Sequence, residues 1–291
     1  MIYDISIIIV NYKSWDPLTK CLDSILNEKK LNLQVIVLDN NSRDNKFDYF
    51  KSKYIDVEWF KNDKNLGFAK ACNVGLKNVK SNWVLFLNPD TILTTNCLYN
   101  LFNKVKKTKN KIISIKQLNE KELDTYAYGL FLNLYSINGV FRYFYRIRHG
   151  LSRKLLSKKQ SFSPDWVSGS FMLIRLKDFI KIGGWDEDYW MYYEDMDLCK
   201  RAKKINIKTK FYNSLYCYHF HGKSSRIDLK TKIKSKAQVI KSSLIFINKH
   251  YKGIYRKILT FLVYFSKVTE LILLSPFVKD KRGVLKKILS L

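Results

Sequence analysis

The sequence is poor in cysteine, and its few cysteines follow no disulfide or metal-binding spacing. Five cysteines are scattered among 291 residues, and no two form a C-x-x-C pair. This scatter argues against a disulfide framework and against a cysteine-based zinc site, and it favours a reducing compartment. The first residues also lack the basic region, apolar region and cleavage site of a secretory signal peptide, so we expect no such peptide.

Two nucleotide-binding motifs are absent as well. No G-x-G-x-x-G follows the first apolar strand, and no G-x-x-x-x-G-K-[ST] occurs. These absences disfavour a dinucleotide site and a P-loop. The chain is long enough for a large α/β domain with an appendage, and its 46% hydrophobic content supports a core. We predict an α/β domain over residues 1–229 and a basic amphipathic helical region over residues 230–291.

Acidic residues are scarce: 25 Asp and Glu oppose 53 Lys and Arg, which gives a net charge of +28. Such a surface attracts nucleic acid, anionic lipid or phosphorylated substrates. In the C-terminal region, the apolar stretch 258–278 is about long enough to cross a bilayer, but Lys267 and Glu270 interrupt it. Two interpretations remain open. The region either lies on an anionic membrane surface or packs on the domain with its lysines in water.

The first half of the chain alternates between strand and helix patterns. Apolar runs at residues 5–10, 35–38 and 83–87, with a weaker run at 57–60, are typical of buried strands. Helices are predicted after Asp16 as N-cap, over residues 67–79, and after Asp90. This order predicts an α/β fold with a Rossmann-like, mostly parallel sheet flanked by helices.

Polar residues follow three of these strands. Asn11 and Tyr12 come after the first strand, Asp39 after the second, and Asn88 and Asp90 after the fourth. Each position alone is typical of an ordinary turn. Because the carboxyl ends of parallel strands lie at one edge of a sheet, where ligands bind, the three together indicate a ligand site.

The scarce acidic residues are concentrated in one stretch. Residues 186–197 contain six carboxylates, several aromatic side chains and no Lys or Arg. Crowded carboxylates repel one another and are typical of sites that use a cation or move a proton; a solvated acidic turn is the alternative. A predicted helix from residue 194 places Asp195 on its buried face, whereas Glu194 and Asp197 share another face with Arg201, where ion pairing is plausible.

Seven short motifs then occur in order. They are IIIVNY at 7–12, DNNS at 39–42, NLGFA at 65–69, LNPD at 87–90, WVSGS at 166–170, GGWDE at 183–187 and YEDMDLC at 193–199. Together they resemble the family-2 inverting glycosyltransferases with the GT-A fold, especially the bacterial rhamnosyltransferase-like branch, over about residues 3–225. The resemblance implies transfer of a sugar from a nucleotide-diphosphate donor to a surface glycan or a lipid-linked glycan.

The resemblance also implies a donor site. Asn11 and Tyr12 would flank the nucleoside, Asp39 would hydrogen-bond the base, and the segment beginning at Asn65 and Gly67 would lie beside the nucleotide and the sugar.

The resemblance further implies a metal site. Asn88 and Asp90 fall in the family's D-x-D element, with an amide in place of the first acid, so Asp90 would face a Mn²⁺ or Mg²⁺ ion on the diphosphate. His219 or His221 would contact the metal or the diphosphate, and His219 has the better spacing. An imidazole ligand favours Mn²⁺.

The family's catalytic Asp falls at Asp195. An inverting transfer requires one base that removes the proton of the acceptor hydroxyl as it attacks the anomeric carbon. Trp185, Asp186 and Glu194 are candidate acceptor contacts, with core packing an equal alternative for Trp185. Lys223 and Arg226 are either diphosphate contacts or solvated loop charges.

Several points stay open. Residues 116–165 form either an acceptor loop or a packed insertion. Rhamnose from a dTDP donor is favoured by resemblance alone, and UDP-sugars are not excluded. A basic nucleic-acid-binding protein, a non-catalytic scaffold and a retaining hydrolase are the alternative functions. The sequence has no nucleic-acid motif, so we expect no nucleic-acid partner. We expect a cytoplasmic protein at the inner face of the cell membrane.

Overall fold

The computed structural model describes residues 3–137, 139–150, 152–220 and 229–289. Its strands are β1 Ile5–Asn11, β2 Leu33–Asp39, β3 Val57–Lys61, β4 Trp83–Leu87, β5 Thr91–Leu93, β6 Lys111–Leu118, β7 Tyr128–Gly129, β8 Ser161–Phe162, β9 Trp166–Val167, β10 Phe171–Arg175 and β11 Lys208–His219. Its helices are α1 Trp15–Leu26, α2 Lys46–Lys53, α3 Phe68–Leu76, α4 Cys97–Val105, α5 Leu134–Ile137, α6 Gly139–Arg148, α7 Arg153–Leu156, α8 Leu176–Ile182, α9 Glu194–Lys204, α10 Leu229–His250, α11 Gly253–Leu274 and α12 Lys279–Leu289.

A mixed, mostly parallel sheet forms the centre of the molecule, in the order β3-β2-β1-β4-β10-β6-β11-β5. Strands β1 to β4 are mutually parallel, as predicted, and β6 is parallel to β11. Strand β10 is antiparallel to both of its neighbours, β4 and β6. Buried Ile, Val and Leu side chains on both faces of the sheet pack against the flanking helices in two hydrophobic clusters.

Three local predictions are corrected. The first helix begins at Trp15 with Ser14 at the N-cap position, so Asp16 lies in its first turn instead of capping it. A short strand, β5, intervenes between Asp90 and helix α4, and it pairs with the end of β11 at Thr91 and His219. The helix predicted over 67–79 is regular only as α3 and ends in a turn.

The C-terminal helices pack on the sheet domain. Phe246 of α10 and Leu259 of α11 are fully buried, in a cluster that includes Leu132 and Tyr189 from the rest of the chain. A second cluster joins α10, α11 and α12 to one another. The packed layer was one of the two interpretations of this region. No helix in the described part of the chain has both the length and the apolar character needed to cross a membrane.

Candidate active site

A cavity of about 580 Å³ opens at the carboxyl edge of the sheet, beyond β1 and β4. It is lined by the strand ends, by residues of the segments 65–68 and 166–170, by residues between Gln117 and Arg146, and by the helices α9 to α11. Eight of the predicted site residues line it, namely Tyr12, Asn65, Gly67, Asn88, Asp90, Glu194, Asp195 and His219. The fold therefore brings together residues that are up to about two hundred positions apart in the sequence.

Asn11 and Asp39 lie beneath the cavity and do not line it. Both are almost completely buried, and the parallel register of β1 and β2 sets them side by side. Asn11 Nδ2 donates to Asp39 Oδ1 at 3.3 Å, and Asp39 also accepts from the backbone N–H and the hydroxyl of Ser42. In this structure the two side chains hold the turns after β1 and β2. The Asp39 carboxylate, which was predicted to hydrogen-bond the base, is buried and does not line the cavity.

Gly67 lies where the turn before α3 packs against the acidic stretch. Its φ of +79° is in the left-handed region, and a Cβ at this position would lie 2.1 Å from the carbonyl oxygen of Trp190. The next residue, Phe68, donates its N–H to that same carbonyl at 2.9 Å. Only glycine fits at this position, because a side chain would push the two segments apart.

Asp90 and His219, the two residues predicted as metal ligands, lie next to each other at the edge of the sheet. His219 Nε2 lies 3.3 Å from Asp90 Oδ1 and 3.4 Å from Asn88 Nδ2, and both His219 and Asp90 are buried. On the other side of the ring, His219 Nδ1 is 2.8 Å from Gln117 Oε1. An amide oxygen only accepts, so this contact assigns a proton to Nδ1, and Nε2 is the ring nitrogen that faces Asp90.

This pair fits a divalent ion. A carboxylate oxygen and an imidazole lone pair repel each other at 3.3 Å unless a proton or a cation lies near both. Two neighbouring ligands of an octahedral ion, each at about 2.1 Å, are themselves about 3 Å apart. No cluster of three or more His, Cys, Asp or Glu ligands occurs within the described ranges.

Asp195 is held at the start of α9 by backbone donors. Its Oδ2 accepts from Gly169 N at 3.2 Å, and its Oδ1 accepts from Met196 N at 2.7 Å. Burial raises the pKa of Asp195 to about 6, although these hydrogen bonds oppose the shift. Burial and the charge of Asp195 also raise the pKa of Glu194, well above its usual range. Burial and repulsion between the two neighbouring carboxylates therefore both oppose ionisation of Glu194.

The backbone just before these two carboxyl groups is strained. Tyr192 and Tyr193 have φ values of +68° and +67°, in the left-handed region that bulky residues rarely adopt. Each such residue costs on the order of 1 kcal/mol, and the cost is tolerated where the surrounding structure fixes the conformation. Here it turns the chain so that Glu194 and Asp195 enter the cavity at the N-terminus of α9.

Asp197 forms the expected ion pair with Arg201, whereas Glu194 does not pair with that side chain. Arg201 Nε donates to Asp197 Oδ2 at 2.7 Å, and its other nitrogens donate to the carbonyl oxygens of Ile182 and Gly184. His250 of α10 approaches Asp197 Oδ1 to 2.6 Å. Glu194 lines the cavity instead, so of the two carboxylates expected near Arg201 only Asp197 pairs with it.

Two candidate acceptor contacts are corrected. Trp185 is buried in the core against Phe68, Phe86 and Phe179, and it does not line the cavity. Its large ring is held by packing, which was the other interpretation of this residue. Asp186 lies outside the cavity and pairs with Lys249 of α10 at 2.5 Å. His221, Lys223 and Arg226 lie outside the described residues.

Several cavity residues were not anticipated from the sequence. Gln117 orients His219, and Gly169 donates its N–H to Asp195. Arg142, Arg146 and Lys267 add positive charge from α6 and α11. The WVSGS motif was a usable signal for Gly169. Nothing local to Gln117 or to the two arginines distinguishes them from ordinary strand and helix residues.

Comparison with known proteins supports the shared fold and the kind of chemistry. Over 230 residues the chain is 24% identical to rhamnosyltransferase WbbL of Escherichia coli K12, covering 76% of this chain and 84% of that protein. Over 217 residues it is 28% identical to the low-salt glycan biosynthesis hexosyltransferase Agl10 of Haloferax volcanii, covering 71% and 64%. The mannosyltransferase PcManGT from Pyrobaculum calidifontis, in complex with GDP-Man and Mn²⁺, superposes with a TM-score of 0.57 at 13% identity, covering 96% and 76%.

Two family models match the chain. Residues 153–223 match the model described as the N-terminal domain of galactosyltransferase. Residues 6–183, more than half of the chain, match the model for glycosyl transferase family 2, and this range contains all of β1 except Ile5, together with β2 to β4, Asp90 and Gly169. The fold, the cavity at the sheet edge and the sequence relatives agree with that match, and the chain belongs to glycosyl transferase family 2.

Proposed function

We propose that the protein is an inverting glycosyltransferase that moves a sugar from a nucleotide-diphosphate donor to a hydroxyl group of a glycan or lipid-linked glycan. The observation that carries the proposal is the single cavity that holds Asp90 and His219 together with Asp195. A donor diphosphate and an acceptor hydroxyl can meet there, which is the arrangement that a direct displacement needs.

Asp195 is the proposed general base. With a pKa of about 6 it is ionised at neutral pH and basic enough to accept a proton. As the acceptor oxygen attacks the anomeric carbon, its proton passes to Asp195. The bond from that carbon to the diphosphate oxygen breaks, and the nucleoside diphosphate leaves with the electron pair. The Gly169 N–H keeps the Asp195 carboxylate aimed into the cavity. Glu194, beside Asp195, is the remaining acceptor-side candidate.

Asp90 and His219 are the proposed ligands of a divalent ion, and Gln117 sets the tautomer of His219. Such an ion, Mn²⁺ or Mg²⁺, would stabilise the negative charge on the departing diphosphate. Tyr12, Asn65 and Gly67 line the part of the cavity proposed for the nucleotide. The Mn²⁺ and GDP-Man bound to the mannosyltransferase of similar fold support a metal and a nucleotide-sugar in this class of fold.

Rhamnose is the favoured sugar, because one relative over most of the chain is named a rhamnosyltransferase. A dTDP donor is favoured with it, and UDP-sugars are the next candidates.

We also propose that the basic C-terminal helices bring the enzyme to the inner, anionic face of the cell membrane. The exposed apolar side chains of α11 support this placement.

The decisive experiment measures acceptor-dependent transfer across a panel of nucleotide sugars with Mn²⁺ or Mg²⁺. One donor, with dTDP-rhamnose expected, should be consumed well above the others. Asp195→Asn should lower transfer by roughly a hundredfold or more while nucleotide binding stays close to wild type. Asp188→Asn, which removes a carboxylate paired with Lys249 outside the cavity, is the matched control. Full turnover by Asp195→Asn would remove Asp195 as the base.

A further inference from the structure

Helix α10 contacts the acidic stretch in a regular pattern. Side chains spaced four residues apart lie on one inclined row of a helix, and the row on α10 consists of Lys234, Gln238, Ser242, Phe246 and His250. Four of these five side chains contact the acidic stretch, and their partners follow in the same chain order, namely Trp190, Met191, Tyr193 and Asp197. The row is about 24 Å long at 1.5 Å per residue, so α10 follows the acidic stretch over most of its own length.

Ser242 provides the central polar contact of this row. Its side chain is fully buried, and its hydroxyl donates to the carbonyl oxygen of Met191 at 2.8 Å. The same hydroxyl oxygen accepts from Gln238 Nε2 at 3.1 Å, which leaves its single proton for Met191. The adjacent Ser243 instead donates to the Ile240 carbonyl of its own helix. Ser242 therefore ties α10 to the acidic stretch, whereas its neighbour serves only the helix.

The carbonyl that Ser242 holds lies directly before the strained turn of the acidic stretch. Tyr192 and Tyr193, with φ values of +68° and +67°, follow Met191. Large side chains keep this backbone conformation only where neighbouring contacts fix it. Phe246, one turn along α10 from Ser242, packs against the Tyr193 ring with the ring centroids 5.8 Å apart. Helix α10 thus holds the turn on both sides of Tyr192, by a hydrogen bond before it and by packing after it.

From these contacts we propose that Ser242, oriented by Gln238, is a positioning residue for the proposed base Asp195. The proposal rests on the proposed function and deepens it. The turn that Ser242 holds sets the direction in which Asp195 enters the cavity, where Asp195 Oδ2 accepts from Gly169 N at 3.2 Å. Without the Ser242 hydroxyl the turn relaxes, and the carboxylate moves away from Gly169 and from the acceptor hydroxyl that it would deprotonate.

The proposed metal ligands do not depend on this turn. Asp90 and His219 are brought together by the pairing of β5 with β11, and Gln117 contacts the His219 ring from the other side. Loss of the Ser242 hydroxyl should therefore slow proton transfer and leave the binding of metal and nucleotide nearly unchanged. A residue that only stabilised the fold would not separate these two effects.

The first test follows the position of Asp195 without turnover. Hydrogen exchange of the Gly169 amide, measured by NMR on the full chain, reports the bond to Asp195. Ser242→Ala should speed this exchange by roughly tenfold, the effect of losing about one hydrogen bond. The amides of β1 serve as the internal reference and should exchange at the wild-type rate. An unchanged Gly169 amide, or an equal rise in β1, would overturn the positioning role.

Ser81→Ala is the matched control. Ser81 is also buried, and its hydroxyl also donates to a backbone carbonyl, that of Trp83 at 2.6 Å. Ser81 comes before β4 and does not line the cavity. This variant should leave the Gly169 amide unchanged. If Ser242→Ala does not fold, Gln238→Leu removes the group that orients the Ser242 hydroxyl, and it should speed Gly169 exchange several-fold; no change in that variant would overturn the proposal.

The second test measures sugar transfer. Ser242→Ala should lower kcat by roughly tenfold to a hundredfold, because the base is displaced, and it should change the donor KM by less than about twofold. Ser81→Ala should change neither value appreciably. A raised donor KM with wild-type kcat would overturn the proposal. If the wild-type protein transfers no sugar, the proposed function fails, and Gly169 exchange still decides whether Ser242 positions Asp195.

Discussion

At the scale of single residues, the surroundings of Asp195 give it the properties of a base. Burial raises the pKa of its carboxyl group to about 6, and the Gly169 N–H limits how far the pKa rises. The neighbouring Glu194 is also buried, and burial together with the charge of Asp195 raises the pKa of its carboxyl group well above the usual range.

The pH dependence of transfer follows from this pKa. Asp195 accepts a proton only when it is ionised, so kcat/KM should rise with pH through about 6 and level off above that value. The measurement is kcat/KM between pH 5 and pH 8 at saturating metal. Nucleotide affinity measured at the same pH values serves as the control. A rate that is constant across this range would contradict the assignment.

Gln117 provides a second prediction at this scale. Its Oε1 is near both His219 Nδ1 and the Ser170 hydroxyl, so Gln117→Leu removes the group that fixes the ring. Affinity for Mn²⁺ in the presence of the nucleoside diphosphate should fall by roughly tenfold to a hundredfold. Titration calorimetry gives this value without turnover. Ser170→Ala, which keeps the Gln117–His219 contact, is the matched control and should change affinity much less.

At the scale of elements, α9 is fixed by Asp197, two residues after the proposed base. Arg201 and His250 both bond this carboxylate, and they join α9 to the turn at Gly184 and to helix α10. Burial alone would raise the pKa of Asp197, but the His250 hydrogen bond and the Arg201 charge together lower it. The resulting stability is present above the usual Asp pKa and is lost as the pH falls through the lowered value.

Removing His250 should therefore destabilise the fold. His250→Ala leaves the buried Asp197 with Arg201 as its ionic partner, and it should lower the free energy of unfolding at pH 7 by about 2–3 kcal/mol. Lys249→Ala removes the adjacent residue, whose ion pairs with Asp186 and Asp188 are at the surface, and it should cost less than about 1 kcal/mol. Urea unfolding measures both. Equal costs would show that the Asp197 pair does not anchor α10 to α9.

At the scale of the whole molecule, charge and apolar exposure combine on the same helices. The chain carries a net charge of +28, and many of its exposed apolar side chains belong to α6 and α11. Neither feature stabilises a fold that is surrounded by water. Like charges repel one another, and aromatic side chains that stay exposed contribute no free energy of burial. Both favour contact with an anionic lipid surface.

Vesicle binding should depend on the α11 stripe. Phe261 and Phe265 stack on each other and are 65% and 58% exposed. Replacing both with Ser should lower the affinity for phosphatidylglycerol vesicles by roughly tenfold or more. Because both side chains are exposed, the melting temperature should stay nearly unchanged. Ile55→Ser, at an 83% exposed residue outside α6 and α11, is the control. Unchanged vesicle affinity in the double variant, or no weakening with added salt, would count against membrane attachment.

The sequence alone determined the strands β1, β2 and β4 and the helix α9. It also predicted that a ligand site lies at the carboxyl edge of the sheet. These features follow from local patterns: a buried parallel strand is a continuous apolar run, and α9 has a helical apolar stripe at Leu198, Cys199 and Ala202. Seven short motifs in a fixed order predicted the family, because each motif can be found in the sequence without knowing the fold.

The tertiary structure decided which side chains reach the cavity. Trp185 and Asp186 are adjacent to acidic motif residues, yet one is buried in the core and the other pairs with α10, because packing partners come from distant segments. The same reason explains Gln117, which contacts His219 across 102 positions of sequence, and it explains Arg142 and Arg146, which helix α6 brings to the cavity. Periodicity in a sequence gives the faces of a helix, but only the neighbouring elements determine what each face meets.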